Sequence, residues 1–184
     1  MNKKVNTVKL DSSKIIEIRK KLDTEITKAW QIIRHENVMS NKEIKAGIGS
    51  GKDLKALYNL ITQMQEKRIK IKGILASLNH GITTFDYEEF KKSNNYSIFA
   101  ACEAKEAIAQ LKLIPTLSPT LKAKKGLKNI GKVEKFASSA KIAQLIKDLQ
   151  LKANKYDTAL DEFNKKTSID ITALSEDFKE FLAA

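Results

Sequence analysis

One cysteine, two prolines, seven glycines, one tryptophan and three arginines in 184 residues mark this chain first by what it does without. A lone cysteine, Cys102, cannot close an internal disulfide. With Ala100, Ala101 and Ala104 around it and no adjacent base, it reads as a buried small hydrophobe, not a reactive thiol. So few helix breakers disfavour a turn-rich all-β fold and predict long elements. No stretch approaches the roughly 20 apolar residues that a membrane-spanning helix needs. The basic start, Met1 to Lys9, leads into no apolar run, so no secretory signal is expected and the predicted location is cytoplasmic. His35 and His80 are the only histidines, and no Cys/His cluster accompanies them, so neither a metal site nor a cofactor is predicted. Acids alternate with lysines at helical spacing, as at Glu103, Lys105 and Glu106, and no carboxylate pair stands out for acid/base work. The chain therefore reads as a non-enzyme.

What is present is Ile, Leu and Lys in quantity. At 42% apolar and 30% charged, the chain is too hydrophobic for disorder and long enough for one core, so a single helical domain over 1–184 is expected. The net charge of +12 predicts attraction to phosphate, an anionic surface or an acidic protein. Almost all of that charge is lysine, which lacks the bidentate fork of arginine. Its placement is uneven: 121–135 holds six lysines against Glu134, and 157–184 holds seven acids against three lysines. Such asymmetry favours head-to-tail contacts between subunits or a tail folded over a basic face.

The periodicity is helical throughout. Ser12-Ser13 offers an N-cap before Ile15, Ile18, Leu22, Ile26, Ala29 and Ile33, with Trp30 at the edge of that stripe. Lys45 to Asp53 carries three glycines and reads as a loop. A second helix opening at Ser50 or Asp53 bears Leu54, Leu57, Ile61, Met64, Arg68, Ile71, Leu75 and Leu78, an unbroken heptad seam that ends on Gly81 as a C′ residue. It should fold back on the first helix as an antiparallel hairpin. Phe85, Tyr87, Phe90 and Tyr96 belong to a connector expected to plug one end of the bundle. A third helix is predicted from Ser97 to Ile114, stopped by Pro115. A fourth starts near Ser138-Ser139 with Ile142, Leu145, Leu149, Tyr156, Leu160 and Phe163. The remainder divides into a flexible 1–11, a basic connector over 115–137 and an accessory C-terminal helix over 168–184. The fold class is therefore all-α, long antiparallel hairpins forming a bundle. Helices of roughly 28 residues span about 42 Å, and uncovered seams of that length predict a homo-oligomer.

Three features suggest anion binding. Gly51-Lys52 ahead of a helix resembles the end of a P-loop, yet Ala46 and Asp53 stand where Gly and Ser/Thr are required, so nucleotide hydrolysis is not expected. What remains is a hairpin loop, with the alternative that backbone amides and Lys52 hold an anion. Arg68 occupies a core seam position. Either it snorkels or fixes register, or with Lys67 it lines a pocket for an anionic ligand; in every case a carboxylate or ligand must meet a buried guanidinium. Lys122, Lys124, Lys125 and Lys128 form the third feature. Aromatics from Phe85 to Phe99 are read as capping the core, with base stacking the minor alternative.

Helix order and local patterns resemble the septicolysin-like helical family of bacteria and phages. The counterparts are the Gly47 to Gly51 loop, the turn Leu78-Asn79-His80-Gly81-Ile82-Thr83-Thr84, and Asp148-Leu149, Asp157-Thr158, Leu160 and Asn164 near the C-terminus. Lys165 replaces the aromatic that follows that Asn in the family, and the tail from Thr167 is additional. The resemblance spans about 12–165 and implies a helical, oligomeric fold. A cytolysin would need an exported, membrane-inserting segment, which this sequence does not offer. The functional expectation is a non-enzymatic oligomer binding a nucleotide-like ligand or nucleic acid, in one version sequestering it as a phage-type inhibitor; the alternative is a scaffold or virion-assembly component that binds other protein.

Overall fold

A computed structural model of the chain describes residues 9–117 and 131–168. Among them the elements run α1 (Ser12–Glu36), β1 (Val38–Ser40), α2 (Asn41–Lys45), α3 (Leu54–Asn79), α4 (Tyr87–Phe90), α5 (Asn94–Lys112), β2 (Lys132–Glu134) and α6 (Ser139–Lys166). Helices dominate, with two antiparallel packings, α1 on α3 and α5 on α6.

α1 is capped one residue earlier than the serines suggest. Asp11 accepts a hydrogen bond from the Lys14 amide at 2.7 Å, and its charge also complements the helix dipole. Ile15, Ile26, Ala29 and Ile33 are buried, with Ile18 and Leu22 half-buried beside them. Trp30 is not at the edge of this stripe: it is fully buried, its ring edge-on to Tyr58 of α3 at 5.9 Å. α3 starts behind Asp53, whose side chain accepts from the Lys55 and Ala56 amides. Its seam from Leu54 to Arg68 is buried, while Ile71, Leu75 and Leu78 are half-buried. Gly81 follows the His80 cap with φ +73°, the left-handed turn that glycine adopts without strain.

α5 begins at Asn94, three residues before Ser97, because the Ser93 hydroxyl accepts from the Tyr96 amide and starts the helix early. Ala100, Ala104 and Ala107 give it a small-residue face. Cys102 lies two residues from both Ala100 and Ala104, about 200° around a helix turning ~100° per residue. It is therefore exposed, not buried among those alanines. α6 is capped by Ser138 as the serine pair implies.

Two short elements carry no sequence signal. β1 and β2 pair antiparallel, Val38 with Glu134 and Ser40 with Lys132. Three residues are too few to show an alternating pattern. α2 follows as a single turn with a capping box between Ser40 and Glu43. The ribbon is tied to the bundle by Asn37, which is 0% exposed. Its Nδ2 donates to the carbonyls of Pro115 (2.7 Å) and Ala137 (3.0 Å), and its Oδ1 accepts from the amides of Phe136 and Ala137. One amide thus gathers the end of α1, the exit from α5 and the entry to α6.

At the opposite end the aromatic connector closes the bundle as expected. The Phe90 ring lies 5.3 Å from Phe85, 5.8 Å from Tyr96 and 6.4 Å from Phe99, and Tyr96 reaches Tyr156 of α6. Phe90 covers Gly73, where an added Cβ would sit 2.6 Å from the ring. The anion candidates Lys122, Lys124, Lys125 and Lys128, most of the 115–137 connector and almost all of the 168–184 segment lie outside the described residues, as do residues 1–8.

Candidate anion-binding site

Arg68 does not wait for an outside anion. Its Nε donates to Glu103 Oε1 at 2.8 Å, Nη1 to Asp23 at 2.9 Å, and Nη2 to both Glu103 and Glu106. Lys72 adds a bond to Glu103 at 2.9 Å. The cluster joins α1, α3 and α5. With Arg19 also 3.7 Å from Asp23, three carboxylates meet three cations, so every cation of the cluster already has an acidic partner and none is left over for an anionic ligand. Burial alone would loosen the guanidinium proton, but hydrogen bonds to Glu103 and Asp23 hold Arg68 firmly charged. Lys67 stands exposed on α3 and takes no part in this cluster. The two do not form an anion pocket.

The glycine loop is likewise satisfied from within. The Ser50 amide donates to Glu36 Oε1 at 2.6 Å and Lys135 Nζ approaches Oε2 at 3.3 Å. Gly49, at φ +124°, comes so close that an added Cβ would lie 3.2 Å from Oε2. Burial raises the Glu36 carboxyl, but the bonds from Ser50 and Lys135 outweigh it and its pKa lies below the ordinary glutamate value. The anion cradled by the loop is therefore the chain's own. Lys52 lines a neighbouring cleft of about 460 Å³ with His35, Glu36, Glu25 and Lys28. The two acids there are engaged by other cations, Glu25 by Lys28 and Glu36 by Lys135, and Lys52 makes no ion pair among the described residues. His80 sits at the far end of α3, its Nδ1 against the Ala76 carbonyl. Among the described residues no group of His, Cys, Asp or Glu could hold a metal.

Cations without acidic partners converge elsewhere. Where α3 and α6 both begin, a cleft of about 520 Å³ is lined by Lys55, Tyr58 and Asn59 from α3 and by Phe136, Ser138 and Lys141 at the α6 entry. Neither Lys55 nor Lys141 makes an ion pair among the described residues. The α3 dipole is already met by Asp53, but the first turn of α6 holds no acid and its cap, Ser138, is neutral. Tyr58 packs on Phe136 with ring centroids 5.2 Å apart. Burial and the nearby charge of Asp148 push the Tyr58 phenol up, so it stays a hydrogen-bond donor at neutral pH. The cleft combines two lysines, an amide, a phenol and an aromatic wall.

Sequence reasoning missed this site, though a signal existed. Lys55 and Lys141 each occupy the first turn of a helix, where lysine opposes the dipole and acids are the usual choice. Comparison with family models, curated proteins and solved structures finds no match for the chain. Likeness to the septicolysin-like family therefore rests on the local patterns alone. Among the described residues no helix is long and apolar enough to cross a membrane.

Proposed function

We propose that the protein is a non-enzymatic helical binding module that takes an anionic partner at the α3–α6 mouth. One observation carries this reading: Lys55 and Lys141, without acidic partners among the described residues, flank a cleft with an aromatic wall, whereas Arg68 and the Ser50 amide of the glycine loop are met by the chain's own carboxylates. A phosphate or carboxylate placed between the two lysines would also complement the α6 dipole. The cleft volume of about 520 Å³ falls within the range of small-ligand sites.

Calorimetric titration with ATP, pyrophosphate and a single-stranded oligonucleotide tests it. Binding should weaken as salt rises from 50 to 200 mM, on the order of a tenfold loss per two phosphate contacts. Lys55→Ala/Lys141→Ala should abolish most of it, and bound nucleotide should be recovered chemically intact. No binding at millimolar ligand in low salt, or binding indifferent to the double variant, would sink the reading.

A second reading, a scaffold that assembles through protein contacts, draws support from the outer surface of α6. Leu151 is 62% exposed and Phe163 45%, on a helix whose last buried residue is Ala153. Native mass spectrometry decides between a monomer and the homo-oligomer those residues would build.

A further inference from the structure

The glycine loop is more firmly built than a plain connector requires. Gly47 and Gly49 take φ +69° and +124°, conformations that glycine enters without strain. The Ile48 amide donates to the Glu43 carbonyl at 2.9 Å, and the Ser50 amide donates to Glu36. Yet Ile48, fixed between these bonds, is 59% exposed, and Ile44 four positions earlier is 41% exposed. Every residue from 41 to 53 is exposed. Val133, opposite Met39 in the ribbon, is a third exposed aliphatic at this end. A clamped loop that holds its isoleucines in water, instead of folding them onto the bundle, presents apolar surface at a fixed place.

The same end of the bundle is basic. α1 and α5 finish here and α3 and α6 begin here, gathered by Asn37 and the ribbon. Lys42 and Lys45 of α2, Lys52 ahead of α3, and Lys55 and Lys141 in the first turns of α3 and α6 make no ion pair among the described residues. The acids of this end face backbone amides: Glu43 accepts from Ser40, Asp53 from Lys55, Glu36 from Ser50 and Glu134 from Leu117. At the opposite end lysines stand one turn from acids, Lys14 with Glu17, Lys91 with Glu88 and Lys92 with Glu89.

We infer that the loop end docks on a lipid surface bearing anionic headgroups. Ile44 and Ile48 enter the boundary between headgroups and acyl chains, and the surrounding lysines meet the headgroup anions. Charge and apolarity together select this occupant. A nucleic acid would use the lysines but leave both isoleucines in water, and a neutral bilayer would leave the lysines unmatched. Lysine suits a diffuse anionic surface, which needs point charges and not the planar fork of arginine. Docking is peripheral, since no helix among the described residues is long and apolar enough to cross a membrane. It does not depend on what the α3–α6 mouth holds.

Flotation of the full chain tests this with vesicles of phosphatidylcholine alone and of phosphatidylcholine with about one-third phosphatidylserine. The mixed vesicles should carry the protein, the neutral ones should not, and added salt should release it. Ile44→Ser/Ile48→Ser keeps every charge and should bind at least ~10-fold more weakly. Ile82→Ser/Ile98→Ser, exposed to a similar degree at the opposite end, should bind as the parent does. Lys42→Glu/Lys45→Glu should also lose at least ~10-fold. All six positions are exposed, and an unchanged melting temperature verifies that each variant folds. Absence of flotation with mixed vesicles, equal loss from both isoleucine pairs, or binding that ignores Ile44 and Ile48 overturns the inference. A duplex oligonucleotide retained through the same lysines, with no vesicle bound, identifies a nucleic acid instead. ATP titrated against Lys55→Ala/Lys141→Ala reports on the mouth separately, so either reading can fall alone.

Discussion

Replacing Arg68 by methionine removes the cation but nearly preserves the stem volume, which isolates the charge cluster from simple packing loss. Arg68 is 6% exposed and Glu103 4%, while Asp23 and Glu106 are partly solvated. After the substitution Asp23 and Glu106 rehydrate at small cost, but Glu103 keeps only Lys72 as partner. Stranding one buried carboxylate typically costs about 3–5 kcal/mol; Lys72 should hold the loss to the lower part of that range. At ~2–4 °C per kcal/mol for a chain of this size, the melting temperature should fall by roughly 6–12 °C. Urea unfolding of Arg68→Met, Glu103→Leu and the double variant forms a cycle. The double variant should recover to within about 1.5 kcal/mol of the parent, because neither charge is then stranded. Had the single Arg68→Met variant cost under about 1 kcal/mol at neutral pH, the cluster would be no more than a surface ion pair and its role in joining three helices would be refuted.

Other expectations follow from the same geometry. Asn37→Ala leaves the amides of Phe136 and Ala137 and the carbonyl of Pro115 without their partner; chemical denaturation should register a loss of about 2–4 kcal/mol, and Asn37→Asp should not rescue it, since a carboxylate oxygen would face two carbonyls. Gly73→Ala gains about 1 kcal/mol of helix propensity, but its Cβ must displace the Phe90 ring; near-UV circular dichroism of the aromatic cluster should change and net stability fall by up to about 2 kcal/mol. The Glu36 pKa is lowered in the fold, so its contribution is full above the unfolded glutamate value of about 4.3 and lost as pH drops through the folded value. Thus Glu36→Gln should flatten the acid limb of a stability–pH curve, and in Glu36→Ala, which removes the acceptor altogether, hydrogen exchange should show the Ser50 amide deprotected.

The hairpin of α1 and α3 was legible because its seams are long and regular: seven of eight positions from Leu54 to Leu78 are apolar at heptad spacing, and Gly81 closes the run. Starts drifted where side-chain caps decide them, at Asp11 and Ser93, since neighbouring serines and aspartates compete for that role, and α5 ends at Lys112, two residues short of the Ile114 expected ahead of Pro115. β1 and β2 were invisible for a different reason. Their pairing spans residues almost a hundred apart and depends on Asn37, a single polar side chain whose four bonds no local pattern announces. Cys102 was misplaced because small neighbours were taken for shared burial, although positions 100, 102 and 104 cannot all lie on one face of a helix.

The same distinction governs the charges. Arg68 and the glycine loop look like ligand sites in one dimension because sequence displays the cation or the amide but hides its partner. Glu103, Glu106 and Asp23 are 35, 38 and 45 positions from Arg68, and Glu36 reaches the Ser50 amide across 14. A buried cation or a conspicuous loop is expensive to leave empty, so folding tends to fill it from within. Solvated lysines carry no such obligation. Lys55 and Lys141 cost little while unoccupied, and for that reason the proposed anion binding rests on this pair of lysines, set against their own helix dipoles beside a lined cleft, and not on the arginine in the core.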